Sequence, residues 1–167
     1  PDDIKADKRY AQAVRRINMK ILLDTNALID LVAVRRPYVN DIKKLCIAAV
    51  FGDLQIWAST QSYADAYYVL RKHAPAEEVK HALLATLDIF MVCGTYAADL
   101  RGALESDWSD IEDYLIAHAS KHIPAKYLIT RDKELVEKSP IKAMSAQEFL
   151  GVLEHEYGLT YDESSLK

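Results

Sequence analysis

Short apolar runs alternate with helical stretches along the chain, and this alternation constrains the fold more than any other feature of the sequence. Five of these runs are predicted to be strands, at residues 20–24, 54–57, 89–93, 127–130 and 141–143. Their near-continuous apolar character is typical of strands that are buried on both faces. No hairpin signal joins any two of them, so we expect parallel strands. The sequence therefore predicts an α/β fold, a single domain with a central parallel sheet of about four to five strands flanked by helices.

Length and composition agree with a single domain. The chain has 167 residues, of which 50% are apolar and 28% are charged, an ordinary balance for a globular protein. Residues 1–18 are interpreted as an N-terminal extension, either native or vector-derived, because Met19-Lys20 resembles a natural start. We expect the folded domain to span residues 19–154 and a C-terminal tail to span 155–167.

The charge, the absence of long apolar runs and the cysteines limit the function classes. The formal net charge of −4 is unlike that of a protein that coats DNA, although metal-binding carboxylates would themselves add negative charge. No apolar run approaches the roughly 20 residues of a membrane helix, so no membrane association is expected. Cys46 and Cys93 form no C-x-x-C motif and are interpreted as small buried thiols. We therefore expect a cytoplasmic protein.

Aspartates follow two of the predicted strands at the point where each strand ends. Asp24 ends the first run, and Asp132 follows the fourth. Open parallel sheets place their functional sites beyond the carboxyl ends of their strands. Helices can add further carboxylates at this edge, because Asp65 lies on the helix after the second strand, and Asp110 and Asp113 lie three residues apart on one helical face.

Such a cluster of carboxylates is typical of a site for divalent cations. Like charges at close range raise one another's pKa, and a divalent cation removes that repulsion. Mg²⁺ and Mn²⁺ prefer hard oxygen ligands and usually retain waters that substrate phosphate can replace. In two-metal phosphoryl enzymes, one ion activates water and the other stabilises the leaving oxygen. The residue types therefore fit phosphodiester hydrolysis.

Each of these residues also has a purely structural interpretation. Asp24 fits the N-cap of the next helix, and Asp65 fits an exposed helical position. The segment Ser109-Asp110-Ile111-Glu112 has the S-x-x-E pattern of a capping box, in which Glu112 bonds back to the start of the helix. We therefore exclude Glu112 from the predicted site. The five histidines have no metal-ligand spacing and are interpreted as surface or packing residues.

Four short blocks carry the acidic residues in a fixed order. They are Ile21-Leu22-Leu23-Asp24-Thr25-Asn26, Asp65 with Ala66-Tyr67-Tyr68-Val69-Leu70, Asp110-Ile111-Glu112-Asp113, and Leu128-Ile129-Thr130-Arg131-Asp132. In this order they resemble the PIN-domain family, and within it the VapC-like toxin ribonucleases, over about residues 19–150. The chain departs from the family pattern at Asp65, where a glutamate is usual. The shorter side chain is expected to reach a metal only through water.

The resemblance implies an endoribonuclease that uses Mg²⁺ or Mn²⁺ to cleave single-stranded RNA. The implied catalytic residues are Asp24, Asp65, Asp113 and Asp132. The implied metal ligands are Asp24, Asp113, Asp132 and Asp110. Asn26 and Thr130 are expected to support the site, and Arg131, beside it, is a candidate contact for substrate phosphate.

The resemblance also implies protein partners. A VapC-like enzyme is expected to be the toxin of a toxin–antitoxin pair and to bind a small antitoxin protein. A symmetric homodimer is also expected, and a set of apolar and aromatic helix residues offers a surface for it: Tyr63, Tyr67, Tyr68, Leu83 and Leu84. The structural alternative is that these residues fill the core.

The residue spacing argues against two other functions, and two further functions remain open. A haloacid-dehalogenase-like phosphatase needs a second aspartate two residues after the first, and position 26 is Asn. A receiver domain needs a phosphorylatable aspartate on a central strand and a late lysine, and neither spacing is present. A stand-alone RNA-processing PIN nuclease and a non-catalytic PIN-like scaffold that binds RNA or protein remain open alternatives.

Overall fold

The computed structural model describes residues 18–162, so the predicted extension at residues 1–18 lies outside the described residues except for Asn18. The described residues form five strands and eight helices. In chain order these are β1 (Met19–Leu23), α1 (Thr25–Val32), α2 (Tyr38–Val50), β2 (Leu54–Ser59), α3 (Thr60–Leu70), α4 (Ala76–Thr86), β3 (Phe90–Cys93), α5 (Ala97–Glu105), α6 (Ile111–Ala119), β4 (Tyr127–Ile129), α7 (Lys133–Lys138), β5 (Lys142–Met144) and α8 (Ala146–Tyr157).

The five strands form one parallel sheet in the order β3-β2-β1-β4-β5. The predicted α/β fold with a parallel sheet is therefore confirmed. Strand β1 lies at the centre, and Leu23 at its end pairs with Ala58 on one side and Ile129 on the other. The carboxyl ends of β1 and β4 thus lie side by side. The residues that follow these two strands begin at the same edge of the sheet.

Both faces of the sheet are covered, which explains the continuous apolar character of the strands. Successive side chains of a strand point to opposite faces. Ile21 and Leu23 accordingly belong to the larger core with α1, α2 and α8, whereas Leu22 belongs to a smaller core with Ile116 of α6 and Leu135 of α7. Helix α6 is thereby fixed against the sheet, with its first turn at the edge where β1 and β4 end.

The end of the described chain packs onto the domain. Helix α8 continues past the predicted domain end at residue 154 to Tyr157, and its C-cap is Gly158, whose φ of 68° is favourable for glycine. The Tyr161 hydroxyl then donates a hydrogen bond of 2.9 Å to the Asp53 carboxylate. Within residues 18–162, no helix has the length and apolar character needed to cross a membrane.

The residues predicted to form a dimer surface divide between the core and the surface. Leu83 is buried, and Tyr63 and Tyr67 are partly buried and packed against the larger core. The Tyr63 hydroxyl also makes a hydrogen bond of 2.7 Å with the Thr86 hydroxyl. Only Tyr68 and Leu84, 54% and 64% exposed, remain available to a partner.

Candidate active site

Asp24 and Thr130 form the buried base of the site, one after each of the adjacent strands β1 and β4. Asp24 is 2% exposed, and it occupies the N-cap of α1 without a side-chain capping hydrogen bond. Its Oδ2 instead accepts a hydrogen bond of 2.9 Å from Thr130 Oγ1. Burial raises the pKa of Asp24, and the hydrogen bond from Thr130 opposes that rise. The purely capping interpretation of Asp24 therefore does not account for its side chain.

Asp132 is held by its own helix and by Thr130. It is the N-cap of α7, and its Oδ1 accepts hydrogen bonds from the backbone N–H groups of Glu134 and Leu135, at 2.8 and 3.1 Å. Its backbone N–H donates to Thr130 Oγ1 at 3.0 Å. Thr130 is thus hydrogen-bonded to both predicted metal ligands at the ends of β1 and β4. The supporting role of Thr130 remains a prediction.

Helix α6 brings Asp110 and Asp113 to the same edge. Asp110 is the N-cap, and its Oδ1 accepts a hydrogen bond of 2.7 Å from the Glu112 backbone N–H. Asp113 lies in the first turn, where burial and the neighbouring carboxylates, Asp132 and Asp24 foremost, raise its pKa to about 7. Asp113 therefore lies within electrostatic reach of the aspartates that follow both central strands.

Glu112 belongs to the acidic cluster, so its interpretation as a capping residue is wrong. Ser109 does not cap α6, because its hydroxyl donates to the Glu134 carboxylate instead. The Glu112 carboxylate accepts a hydrogen bond of 3.1 Å from Thr25 Oγ1. Burial, and then repulsion from Asp65, raise the pKa of Glu112 to about 7. The signal that could have identified it is its position within the block that also carries two predicted ligands.

Asp65 reaches the cluster from α3. This helix begins where Ser59 accepts a capping hydrogen bond of 2.9 Å from the Ser62 N–H. One turn later Asp65 Oδ2 accepts a hydrogen bond of 2.7 Å from Gln61 Nε2. Asp65 is partly buried and acts electrostatically on Glu112, so the alternative of an exposed helical position does not hold. The aspartate at this position faces Glu112 across the site.

Two other predicted site residues, Asn26 and Arg131, do not add to the cluster of carboxylates. Asn26 is exposed in the first turn of α1. Arg131 points to the neighbouring Asp30, and its Nη2 lies 2.6 Å from Asp30 Oδ2. Its guanidinium also lies over the Tyr38 ring, 3.8 Å from the centroid. Arg131 therefore already has an acidic partner, and its contact with substrate phosphate remains a prediction.

The chemistry of the cluster fits a hard divalent cation. The site gathers six carboxylates, and burial and mutual repulsion raise the pKa of three of them. A bound cation removes that repulsion, and oxygen ligands alone are suited to Mg²⁺ or Mn²⁺. Among residues 18–162, no three acidic, histidine or cysteine side chains are already arranged as a metal-binding group. Side-chain rotations would therefore accompany cation binding.

Comparisons with known proteins decide the family. The family model for the PIN domain matches residues 20–134, which include all six acidic residues of the site. The chain belongs to the PIN-domain family. Proteins of this family are nucleases, which are phosphodiester hydrolases, and they generally depend on divalent metal ions. No curated protein sequence is significantly similar to the chain.

Three solved structures have a similar fold, and one of them is a toxin. VapBC2 from Rickettsia felis, bound to a DNA fragment from its promoter, is 20% identical with a TM-score of 0.57, over 76% of this chain and 98% of that chain. VapC20 from Mycobacterium tuberculosis, a toxin that cleaves the sarcin–ricin loop, is 13% identical with a TM-score of 0.58, over 70% and 93%. PAE2754 from Pyrobaculum aerophilum is 20% identical with a TM-score of 0.60, over 81% and 96%.

Proposed function

We propose that this PIN-domain protein is a metal-dependent endoribonuclease that cleaves single-stranded RNA and acts as the toxin of a toxin–antitoxin pair. The observation that carries the proposal is the acidic cluster, in which carboxylates from four helices meet at the carboxyl ends of β1 and β4. Such a concentration of negative charge at the functional edge of a parallel sheet is suited to binding a metal ion, which in turn can hold the anionic phosphodiester.

Four aspartates are assigned as the ligands of Mg²⁺ or Mn²⁺: Asp24, Asp113, Asp132 and Asp110. When bound, the ion neutralises the carboxylates, lowers the pKa of water and stabilises charge on the leaving oxygen. Asp65 and Glu112 form a second pair of carboxylates beside these ligands. We assign Glu112 a place in this site, where it supplies the longer acidic side chain that position 65 lacks.

Two threonines position the acidic side chains. Thr130 donates to Asp24 and accepts from the Asp132 N–H, so one hydroxyl fixes the relation between the two strand ends. Thr25 donates to Glu112 and holds its carboxylate toward the cluster. Ligands that are held by surrounding hydrogen bonds need less reorganisation when substrate binds. The threonines therefore act as positioning residues.

The toxin assignment is supported by the similar folds of VapBC2 and of VapC20, a toxin that cleaves the sarcin–ricin loop. The acidic cluster also indicates how an antitoxin would inhibit. A guanidinium forms bidentate hydrogen bonds with carboxylates, so an arginine on a flexible antitoxin segment would occupy the metal position. The segment would fold as it binds.

We also propose a homodimer, in which the exposed Tyr68 and Leu84 contact the partner copy.

A cleavage assay tests the nuclease. Purified protein is expected to cut a single-stranded RNA oligonucleotide with Mg²⁺ or Mn²⁺, and to stop in EDTA. Asp24→Asn keeps the shape of the side chain but removes its charge, so this variant is expected to lose cleavage. The exposed Asp88 provides a matched control, and Asp88→Asn is expected to retain it. RNA binding without cleavage under all metal conditions would instead favour a non-catalytic scaffold.

Expression in bacteria tests the toxin assignment separately. Wild-type protein alone is expected to arrest growth, and Asp24→Asn is expected to relieve the arrest. Co-expression of a small protein encoded beside it is expected to restore growth and to yield an inactive complex that co-purifies. Harmless expression of a protein that cuts RNA in vitro would indicate a stand-alone RNA-processing nuclease.

A further inference from the structure

A cavity of about 390 Å³ opens directly beside the acidic cluster. Its walls come from α1, α2 and the segments that follow β4 and β5. Thr130 belongs to both places, since it lines the cavity and donates a hydrogen bond to Asp24. An RNA strand whose phosphodiester is bound at the acidic cluster would therefore have a neighbouring nucleotide at the mouth of this cavity. The size lies within the usual range of small-molecule pockets.

A cation–aromatic stack forms one wall of the cavity. The Arg131 guanidinium lies 3.8 Å from the centroid of the Tyr38 ring. Asp30, which is 1% exposed, accepts a hydrogen bond of 2.6 Å from Nη2 of this guanidinium. Arg131 and Tyr38 nevertheless remain 38% and 42% exposed. The cavity therefore has a flat, partly exposed surface whose orientation is fixed by an ion pair with a buried carboxylate.

The remaining lining is mainly apolar, and its few charged side chains are nearly balanced. Lys44 lies 3.8 Å from Asp41, and Arg131 is paired with Asp30, so each cation in the lining has an acidic neighbour. The amide side chains of Asn40 and Gln147 also line the cavity, and both residues are exposed. Such a lining offers donors and acceptors without the excess positive charge that attracts phosphate.

We propose that this cavity binds one unpaired base of the RNA substrate, next to the phosphodiester that is cut. The proposal rests on the proposed nuclease function and adds a site of base selection to it. Single-stranded RNA is read through bases that stack on aromatic rings or arginine planes and form hydrogen bonds along their edges. The Arg131–Tyr38 stack supplies the flat surface, and the amides supply the hydrogen-bonding groups.

This assignment gives Arg131 a different role from a free phosphate contact. Its guanidinium is already hydrogen-bonded to Asp30, which also lies 3.9 Å from Arg35, so the cavity presents the plane of Arg131 as well as its charge. Arg131→Lys keeps the charge but removes the plane, and Tyr38→Leu removes the ring beneath it. Both variants are expected to alter which RNA sequences are cut, with little effect on the acidic cluster.

The test is the sequence preference of cleavage. A pool of single-stranded RNA with four randomised positions is cut with Mn²⁺, and the products are sequenced. The wild type is expected to prefer particular bases at one position beside the cut. Tyr38→Leu, Arg131→Lys and Gln147→Ala are expected to reduce that preference at least fivefold and to raise KM more than they lower kcat. Tyr157→Leu, which removes a contact with Lys126 at the opposite end of the sheet, is the matched control.

Failure of this proposal is distinguishable from failure of the nuclease assignment. If the wild type cuts without preference, or the three variants keep the wild-type preference, the base site is refuted while the nuclease stands. If the wild type cuts no RNA, nuclear magnetic resonance titration with the four nucleoside monophosphates in EDTA tests binding at the cavity without relying on cleavage. Shifts at Ser145 and Gln147 that Tyr38→Leu abolishes would support the base site. No such shifts, or shifts only with an arginine-containing peptide, would overturn it.

Discussion

Replacing Asp113 by asparagine is expected to abolish cleavage and to stabilise the metal-free protein. Burial and four neighbouring carboxylates raise the Asp113 pKa from an ordinary 3.8 to about 7. The folded protein thus binds this proton more tightly than the unfolded chain does. The associated stability is fully present below about pH 4 and is lost as pH rises through 7, where the carboxylate must ionise among like charges.

The size of the effect follows from the same pKa difference. At about 1.4 kcal/mol per pKa unit, the full difference corresponds to about 4 kcal/mol. Asp113 is only partly buried, so solvent screening reduces this to about 1–2 kcal/mol. Asparagine carries no charge at any pH. The Asp113→Asn variant should therefore gain about 1–2 kcal/mol at pH 8, or about 3–6 °C in Tm, and the gain should shrink as pH falls towards 4.

Thermal unfolding in EDTA, followed by circular dichroism between pH 4.5 and 8, measures this gain. Asp88→Asn is the control, because it removes an exposed carboxylate away from the cluster, and its Tm should follow that of the wild type. Adding Mn²⁺ should raise the Tm of the wild type more than that of Asp113→Asn. A lower Tm for Asp113→Asn at pH 8, or a gain that does not vary with pH, would refute the electrostatic reasoning.

Three further changes test the positioning, packing and assembly of the protein. Thr130→Val removes two hydrogen bonds at the strand ends and should lower cleavage about 10–100-fold, whereas Thr130→Ser should retain most of it. Gly151→Ala meets open space within a helix and should stabilise the fold by about 1 kcal/mol in urea unfolding, whereas Gly102→Ala places a methyl group against the Tyr114 hydroxyl and should lose that gain. Leu84→Lys should convert a dimer into a monomer of 18.9 kDa in light scattering, and an unchanged mass would place the interface elsewhere.

The sheet and the strand-end aspartates could be predicted because both depend on local sequence. Five apolar runs without hairpin turns determine a parallel sheet, and residues that follow adjacent parallel strands reach the same edge. Asp24 and Asp132 follow from this rule alone. Asp113 and Asp110 follow from their helical spacing together with the order of the blocks.

The remaining features depend on contacts between distant parts of the chain. Glu112 matches a capping box locally, but Ser109 bonds to Glu134, 25 positions away, and Asp110 caps the helix instead. Arg131 similarly pairs with Asp30, 101 positions away, so its sequence neighbours do not reveal that it already has an acidic partner. Local patterns could not distinguish these outcomes, because the competing partners come together only in the folded protein.

Metal binding at the acidic cluster tests the central claim most directly. Isothermal titration of the metal-free protein with Mn²⁺ at pH 7.5 measures it without depending on an RNA substrate. We predict saturable binding to the wild type and to Asp88→Asn, and affinity at least tenfold weaker in Asp24→Asn and Asp113→Asn. Absence of saturable binding to the folded wild type, or equal affinity in all four proteins, would contradict a metal site formed by these carboxylates.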